Sequence, residues 1–427
     1  MFFFFQNSLA DKGWNFLNIK SKSEAHERLY KQGGVGFDYD WKESANGKKL
    51  KNLFTDWCNT YKHIKCDEQA FKNFKVNMKR VNDINNDTKL NWWASGNAFS
   101  HLDETTFLKR YTGFKESETV KVPARTVKLQ AIQNSCRFYS SRGSIPAPVV
   151  TECTKCRDAC YHSGRCIFYS WNNGPRSNLY SSGACNNKSP PPASSPPPTQ
   201  LTYLFNDTIN WVSLGKVTPV RPNQGICGSC WAYTAIGTIE SNLLVNNNTY
   251  NNETLDLSEQ ELVSCAESNG CNGGSTWAAL NYACSHGVLN EAILPYIGKN
   301  SLCPSNLTPR LSLLPSLIPM KIQRNSETAL IRALQKGPVA VTFGGDASFS
   351  MYAGGIYSSN SCPTTPNHAM LAVGWGYDND LKRQYILVKN SFGSEWGEGG
   401  FARIAMIGDG PGMCGMYDEI MALILNK

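Results

Sequence analysis

No stretch of this 427-residue chain approaches the roughly 18 consecutive apolar residues of a membrane-spanning helix, so none is readable. Glycine follows no collagen period, and 41% apolar against 18% charged residues excludes a wholly disordered chain. Histidine is scarce: there are six, and after residue 204 only His286 and His368 remain to act as a base. The run Met1 to Phe5 stops at Gln6 and Asn7 with no basic n-region or small-residue cleavage site. That start reads as truncated or misassigned.

Cysteine, by contrast, is plentiful. The 16 cysteines fall at 58 and 66, between 136 and 185, and from 227 to 414. Such usage points to an oxidising compartment. Asn-X-Ser/Thr sequons at Asn86, Asn187, Asn206, Asn247, Asn252 and Asn306 agree with a secretory route. The net charge of +8 is unevenly spread. Residues 1–204 carry 29 basic and 17 acidic side chains, net +12, and the remainder carries 13 and 17, net −4. That asymmetry fits a nucleic-acid arm or two parts of one chain that attract each other.

The organisation follows from pattern and punctuation. Residues 1–49 have no clear role. Residues 50–90 read as helical: Leu53, Trp57 and Tyr61, then Phe71, Phe74, Met78 and Val81, recur every three or four positions. A short extended piece after Gly96 and a small helix from Asp103 to Tyr111 complete a unit over 50–113. Residues 130–188 hold Cys136, Cys153, Cys156, Cys160, Cys166 and Cys185, which suit a disulfide-stapled module or, by the spacing 153/156/160, a zinc site. Ser189 to Gln200 is a stiff Pro/Ser spacer within a linker over 189–204. From 205 to 427 a long apolar helix beginning near Ser229 precedes strand-like runs at 339–343, 368–377, 383–392 and 401–407. A helical part followed by an antiparallel part predicts an α+β architecture with a cleft between them.

Gln224-Gly-Ile-Cys227-Gly-Ser-Cys230-Trp-Ala-Tyr233 carries the most chemistry. Cys227 and Cys230 fit a redox CxxC pair. They equally fit a structural half-cystine followed by a thiol on the first turn of a helix, where the free N–H groups favour a thiolate. A nucleophilic thiol needs a base. His368 opens an apolar run, and Asn390 closes the next one, so two neighbouring strands would let the amide orient the imidazole towards Cys230.

These blocks, with CNGG at 271–274, NHAMLAVGWG at 367–376 and NSFGSEWGEGGF at 390–401, resemble the signatures of papain-like cysteine proteases, the cathepsin L and papain group. They stand in that family's order. The resemblance implies a papain-like two-domain catalytic fold, with a helical left domain and an antiparallel, β-barrel-like right domain. It implies nucleophile Cys230, base His368 and orienting Asn390, with Gln224 in the oxyanion hole. It pairs Cys227 with Cys271, Cys265 with Cys303 and Cys362 with Cys414, and leaves Cys230 free and Cys284 over. It places Gly273 and Gly274 against the substrate backbone, and Thr276, Thr342, Ala369 and Glu419 along the main apolar pocket. Glu419 would be a movable anion there, and Trp396 would wall the leaving-group side. Two residues depart from the family: Phe392 stands where Trp is usual, and Tyr233 where Phe is.

Residues 50–113 resemble the inhibitory propeptide of the same group through Phe74, Asn77, Val81 and Asn85, although Cys66 and Ala70 replace the customary Glu and Arg and His101 the customary Asp. The six-cysteine unit resembles apple/PAN modules through Cys166-Ile-Phe-Tyr169, which implies a glycan or protein ligand. The expectation is therefore a monomeric lysosomal or secreted zymogen. Its substrates are proteins and peptides, its own propeptide is its inhibitor, and no cofactor, metal or nucleic acid is involved. The charge asymmetry leads to the further expectation that acid weakens the block by protonating cleft carboxylates.

Overall fold

The computed structural model describes residues 43–116, 208–266, 269–313 and 317–425, together with four strands between 135 and 181. The region expected to be one helical stretch is two helices, α1 (Glu43–Thr60) and α2 (Glu68–Asn86), joined by a turn that the Cys58–Cys66 disulfide closes. Asp67 caps α2 by accepting the Ala70 N–H at 2.9 Å. The polar residues on the buried side of α2 have partners. Asn77 donates to Ser100 and Leu102 carbonyls, and Asn85 exchanges two hydrogen bonds with Ala94. The extended piece lies before Gly96, as strand β1 (Trp92–Ala94), and helix α3 (Glu104–Tyr111) follows.

The strands β2 (Ser135–Ser140), β3 (Gly143–Ile145), β4 (Phe168–Asn172) and β5 (Asn178–Ser181) form a separate antiparallel sheet in the order β3-β2-β4-β5. The cysteine pairings and helix expected of the apple/PAN-like module lie outside the described residues, as does the 189–204 linker.

Beyond residue 208 the helical part comprises α4 (Cys230–Asn246), α5 (Glu259–Cys265) and α6 (Thr276–His286). Helix α4 is apolar around most of its circumference and correspondingly buried. Trp231, Ile236 and Ile239 pack with Leu262 of α5 and Leu280 of α6 into one core. The second core lies on the sheet side. There β6 (Ile209–Asn210), β7 (Leu317–Ile322), β8 (Val339–Phe343), β9 (Tyr352–Tyr357), β10 (His368–Asp378), β11 (Arg383–Lys389), β12 (Phe401–Ala405) and β13 (Ile420–Leu425) join β1 in a nine-stranded sheet. Its path runs β1-β9-β12-β11-β10-β8-β13-β7, with β6 beside β10. Helices α7 (Glu327–Leu334) and α8 (Ala347–Ser350) flank it.

Strand β1 continues the sheet at β9, with Trp92 opposite Gly355. The N-terminal unit is thus built into the same apolar core: Trp57, Phe74 and Met78 belong to one cluster with Phe349, Tyr352 and Trp396. Burial of several large aromatics, each contributing about 1.5–3 kcal/mol, holds this unit down.

Candidate active site

Cys230 is the first residue of α4, and the Ser229 side chain before it makes no capping hydrogen bond. The turn leading in is stapled from below. Cys227 is bonded to Cys271, and Gly228 N–H donates to the Cys271 carbonyl at 2.9 Å. Because Cys227 is spoken for, the CxxC pair is not a redox dithiol. Cys265–Cys303 and Cys362–Cys414 are the other disulfides of this half. Cys230 and Cys284 are free and buried.

Antiparallel pairing of β10 with β11 brings the end of one strand beside the start of the other. His368 Nε2 lies 2.8 Å from Asn390 Oδ1. Since that oxygen only accepts, Nε2 carries the proton and Nδ1 is left bare. Phe392 stacks on the imidazole at 4.9 Å and 30°. Cys230 packs against Ala369, the neighbour of His368.

Gln224 is held by Ser391 at both ends: its N–H donates to the Ser391 carbonyl at 3.0 Å, and Ser391 Oγ donates to its Oε1 at 2.5 Å. Its Nε2 donates to the Cys227 carbonyl at 2.7 Å and reaches the Tyr111 carbonyl at 3.3 Å. A carbonyl oxygen of the N-terminal unit therefore meets the donor that the sequence nominates for an oxyanion.

The chain from Thr112 to Glu116 crosses the cleft. Gly274 N–H donates to Gly113 O at 2.8 Å, Lys115 N–H to Gly274 O at 2.9 Å, and Phe114 N–H to Asn367 O at 2.9 Å. The Phe114–Gly274 bridge is parallel. The approach is too close for side chains. A Cβ at Gly113 would fall 2.0 Å from Gly228 O, and one at Gly273, whose φ is +104°, would fall 2.6 Å from Gly113 O.

The lid changes the electrostatics. Both Cys230 and His368 are 0% exposed. Burial pushes the Cys230 thiol up to about 11 and the His368 imidazole down to about 4, against the upward pull of the Asn390 bond. In this closed state both groups are neutral near pH 7.

Thr276, Thr342 and Ala369 are fully buried. Thr342 faces Ala369 across β8 and β10, and its hydroxyl receives the Glu419 N–H at 3.2 Å. The Glu419 carboxylate, expected as a movable anion, is instead buried and held by Lys321 Nζ at 3.1 Å; that cation also lies over the Trp277 ring. Trp396 packs edge-on to Phe392 and donates its indole N–H to Ser350 O at 3.2 Å. The charge expectation also changes. The ion pair Glu116–Arg324 joins the N-terminal unit to the rest with the negative partner on the N-terminal side. Among the described residues the rest of the contact is made by aromatic rings, backbone groups and side-chain bonds such as Asn97 Nδ2 to Ser350 O at 2.7 Å: Phe99, Phe107 and Tyr111 surround Phe392 at 5.2, 5.8 and 6.4 Å.

Three contributors were invisible to sequence reasoning. These are the Cys58–Cys66 bond, Lys321, and Tyr296, whose hydroxyl meets Gln224 and Ser229. Tyr296 has only an aromatic after a Pro as its signal, and Lys321 lies 98 residues from Glu419. Among the described residues no helix is long and apolar enough to cross a membrane, and no cluster of His, Cys, Asp and Glu could hold a metal.

The model of papain family cysteine proteases matches residues 205–424. The chain is 38% identical over 220 residues to pro-cathepsin H of Mus musculus, which covers 50% of this chain and 63% of that protein. It is 36% identical over 221 residues to papain of Carica papaya, covering 51% and 60%. The aligned part thus spans less than two thirds of these relatives. In fold, the chain is similar to a recombinant stem bromelain precursor, with TM-score 0.64, 24% identity and coverage of 89% of this chain and 100% of the other. It is likewise similar to a ragweed pollen allergen cysteine protease in its proform, with TM-score 0.63, 22% identity and coverage of 92% and 99%.

Proposed function

Because this chain belongs to the papain family of cysteine proteases, we propose that it is an endopeptidase made as a zymogen, with residues 43–116 as its built-in inhibitor. In the open enzyme Cys230 and His368 form a thiolate–imidazolium pair. The thiolate attacks the peptide carbonyl carbon, and the electron pair moves onto oxygen. Gln224 Nε2 and the Cys230 backbone N–H receive that oxyanion. Collapse of the intermediate expels the amine, which takes its proton from His368. Water, deprotonated by the now neutral His368, then hydrolyses the thioester and restores the thiol pair. Asn390 keeps the imidazole oriented through both steps, and Phe392 covers that bond.

The observation that carries this reading is the 2.8 Å His368–Asn390 bond beside a free thiol at a helix N-terminus. The zymogen reading is supported by the Phe114–Gly274 bridge and by the Tyr111 carbonyl at Gln224 Nε2, which fill the cleft where substrate would lie. Gly273, Gly274, Thr276, Thr342, Ala369 and Glu419 would receive substrate, and Trp396 the leaving side. The disulfides suit a lysosomal or secreted enzyme acting on proteins and peptides. Hydrolysis of a peptidyl-coumarin amide by the activated protein tests the proposal. Cys230→Ser and His368→Ala should each lower kcat on the order of 10⁴-fold or more. Retained turnover in either variant would refute the assigned roles.

A further inference from the structure

Tyr296 lies in the loop after α6, remote in sequence from every signature block. That loop is braced internally by Glu291 and tied to the start of α5 by Ser258 and Gln260. Tyr296 N–H donates to Glu291 Oε1 at 2.6 Å, Ile297 N–H to Gln260 Oε1 at 3.0 Å, and Ser258 Oγ to Leu294 O at 2.6 Å. The ring meets Tyr233 edge-on at 5.1 Å. So anchored, the phenol reaches across to the turn that precedes Cys230. Its oxygen lies 2.7 Å from the Gln224 carbonyl and 2.6 Å from Ser229 Oγ.

With the phenolic proton on the Gln224 carbonyl the direction of these bonds follows, the 2.6 Å contact outcompeting the 3.4 Å reach of Ser229 Oγ to Cys227 O. A carbonyl only accepts, so the single phenolic proton goes to Gln224 O, and Ser229 must donate into the phenolic oxygen. The result is a directed chain from Ser229 through Tyr296 to Gln224. Its two ends bracket the two donors assigned above to the oxyanion, the Gln224 side chain and the N–H of Cys230. We propose that Tyr296 is a positioning residue that sets the separation of those two donors. The inference rests on the protease reading. The disulfide Cys227–Cys271 and the Ser391 bonds to Gln224 keep the turn folded without the phenol. The Cys227 carbonyl also joins the two ends, receiving Gln224 Nε2 at 2.7 Å and the Ser229 N–H at 2.8 Å, and the phenol is a second brace that runs from the Gln224 backbone to the Ser229 side chain. Oxyanion stabilisation needs donors held within about 0.5 Å, and misplacement near 1 Å costs on the order of 10²-fold.

Tyr296→Phe keeps the ring and its contact with Tyr233 and removes only the hydroxyl. In the activated full chain it should lower kcat for a peptidyl-coumarin amide by about 10- to 100-fold while KM moves less than about 2-fold. Alkylation of Cys230 by iodoacetamide forms no oxyanion, so its rate should stay within about 2-fold. In a Gln224→Ala background the same substitution should cost no more than about 3-fold. Ser229→Ala, which breaks the chain at its other end, should give a smaller loss of the same pattern. A kcat within about 2-fold of wild type for both variants overturns the inference. So does an equal loss in alkylation, or an undiminished loss without Gln224. An activated wild-type protein that alkylates normally but cleaves no peptide refutes the protease reading itself, and the inference falls with it.

Discussion

The closed cleft makes a quantitative demand on pH. His368 is 0% exposed beneath residues 111–114, and burial holds its imidazole at about 4. When the covering segment lifts in the Cys230→Ser zymogen, where no thiolate can pair with the imidazole, water returns and the group recovers an ordinary value near 6.5. The closed form therefore binds fewer protons than the open form. Acid favours opening, starting as pH falls through about 6.5 and saturating below about 4. The full coupling is about 3 kcal/mol, and between about pH 7 and 4.5 the opening constant should rise by roughly 60-fold. This mechanism does not depend on charge attraction across the interface; among the described residues Glu116–Arg324 runs with the opposite polarity. His101 is half-buried against Trp57 within the N-terminal unit, where burial also holds its imidazole low, so acid acts on that unit by a second, separate route. The readout must therefore be local. In the Cys230→Ser zymogen, hydrogen exchange at the Phe114 and Lys115 amides reports release from Asn367 O and Gly274 O. Corrected for intrinsic exchange, protection should fall roughly 60-fold from about pH 7 to 4.5, and His368→Gln should flatten the profile. Protection constant within about 3-fold over that range would refute the reasoning.

Phe107 is buried against Phe99, Tyr111 and Phe392. Phe107→Ala should cost the closed state about 3–5 kcal/mol and let the uncleaved zymogen hydrolyse peptide at neutral pH; a silent zymogen contradicts this. Lys321→Met frees the Glu419 carboxylate, so the ratio of kcat/KM for Arg over Phe two residues before the scissile bond should rise by about 10-fold. An unchanged ratio means that Glu419 does not face substrate. Replacing Cys58 and Cys66 by Ser opens a short loop and should destabilise the N-terminal unit by about 2–3 kcal/mol, seen as a lower zymogen melting midpoint with no change in the mature enzyme.

Local chemistry was the legible part of the sequence. Apolar periodicity marked α2, a long apolar stretch marked α4, and short apolar runs marked β8, β10, β11 and β12 within a few residues. His368 and Asn390 were legible because each polar residue interrupts an apolar strand end. What escaped was set by long-range packing. Strand β7 carries Pro319 and two exposed or half-exposed positions, so its pairing with β13 is decided by register across the sheet rather than by local pattern. The break between α1 and α2 is decided by a cross-link between two cysteines that replace no periodic residue. Tyr296 and Lys321 act through partners 72 and 98 residues away, a distance no spacing rule reaches. Summed charge says little about the described part of the interface, which pairs aromatic rings and backbone groups, and much of the basic half lies outside the described residues.

The central claim is that Cys230 is the nucleophile and that residues 111–116 are what silences it. It is tested most directly by an epoxide inhibitor of thiol proteases with peptide mapping. The account predicts one label per chain, on Cys230 alone, after acid activation, and no label on the intact zymogen at neutral pH. Labelling of Cys284, or no labelling of Cys230 in the activated protein, would contradict it.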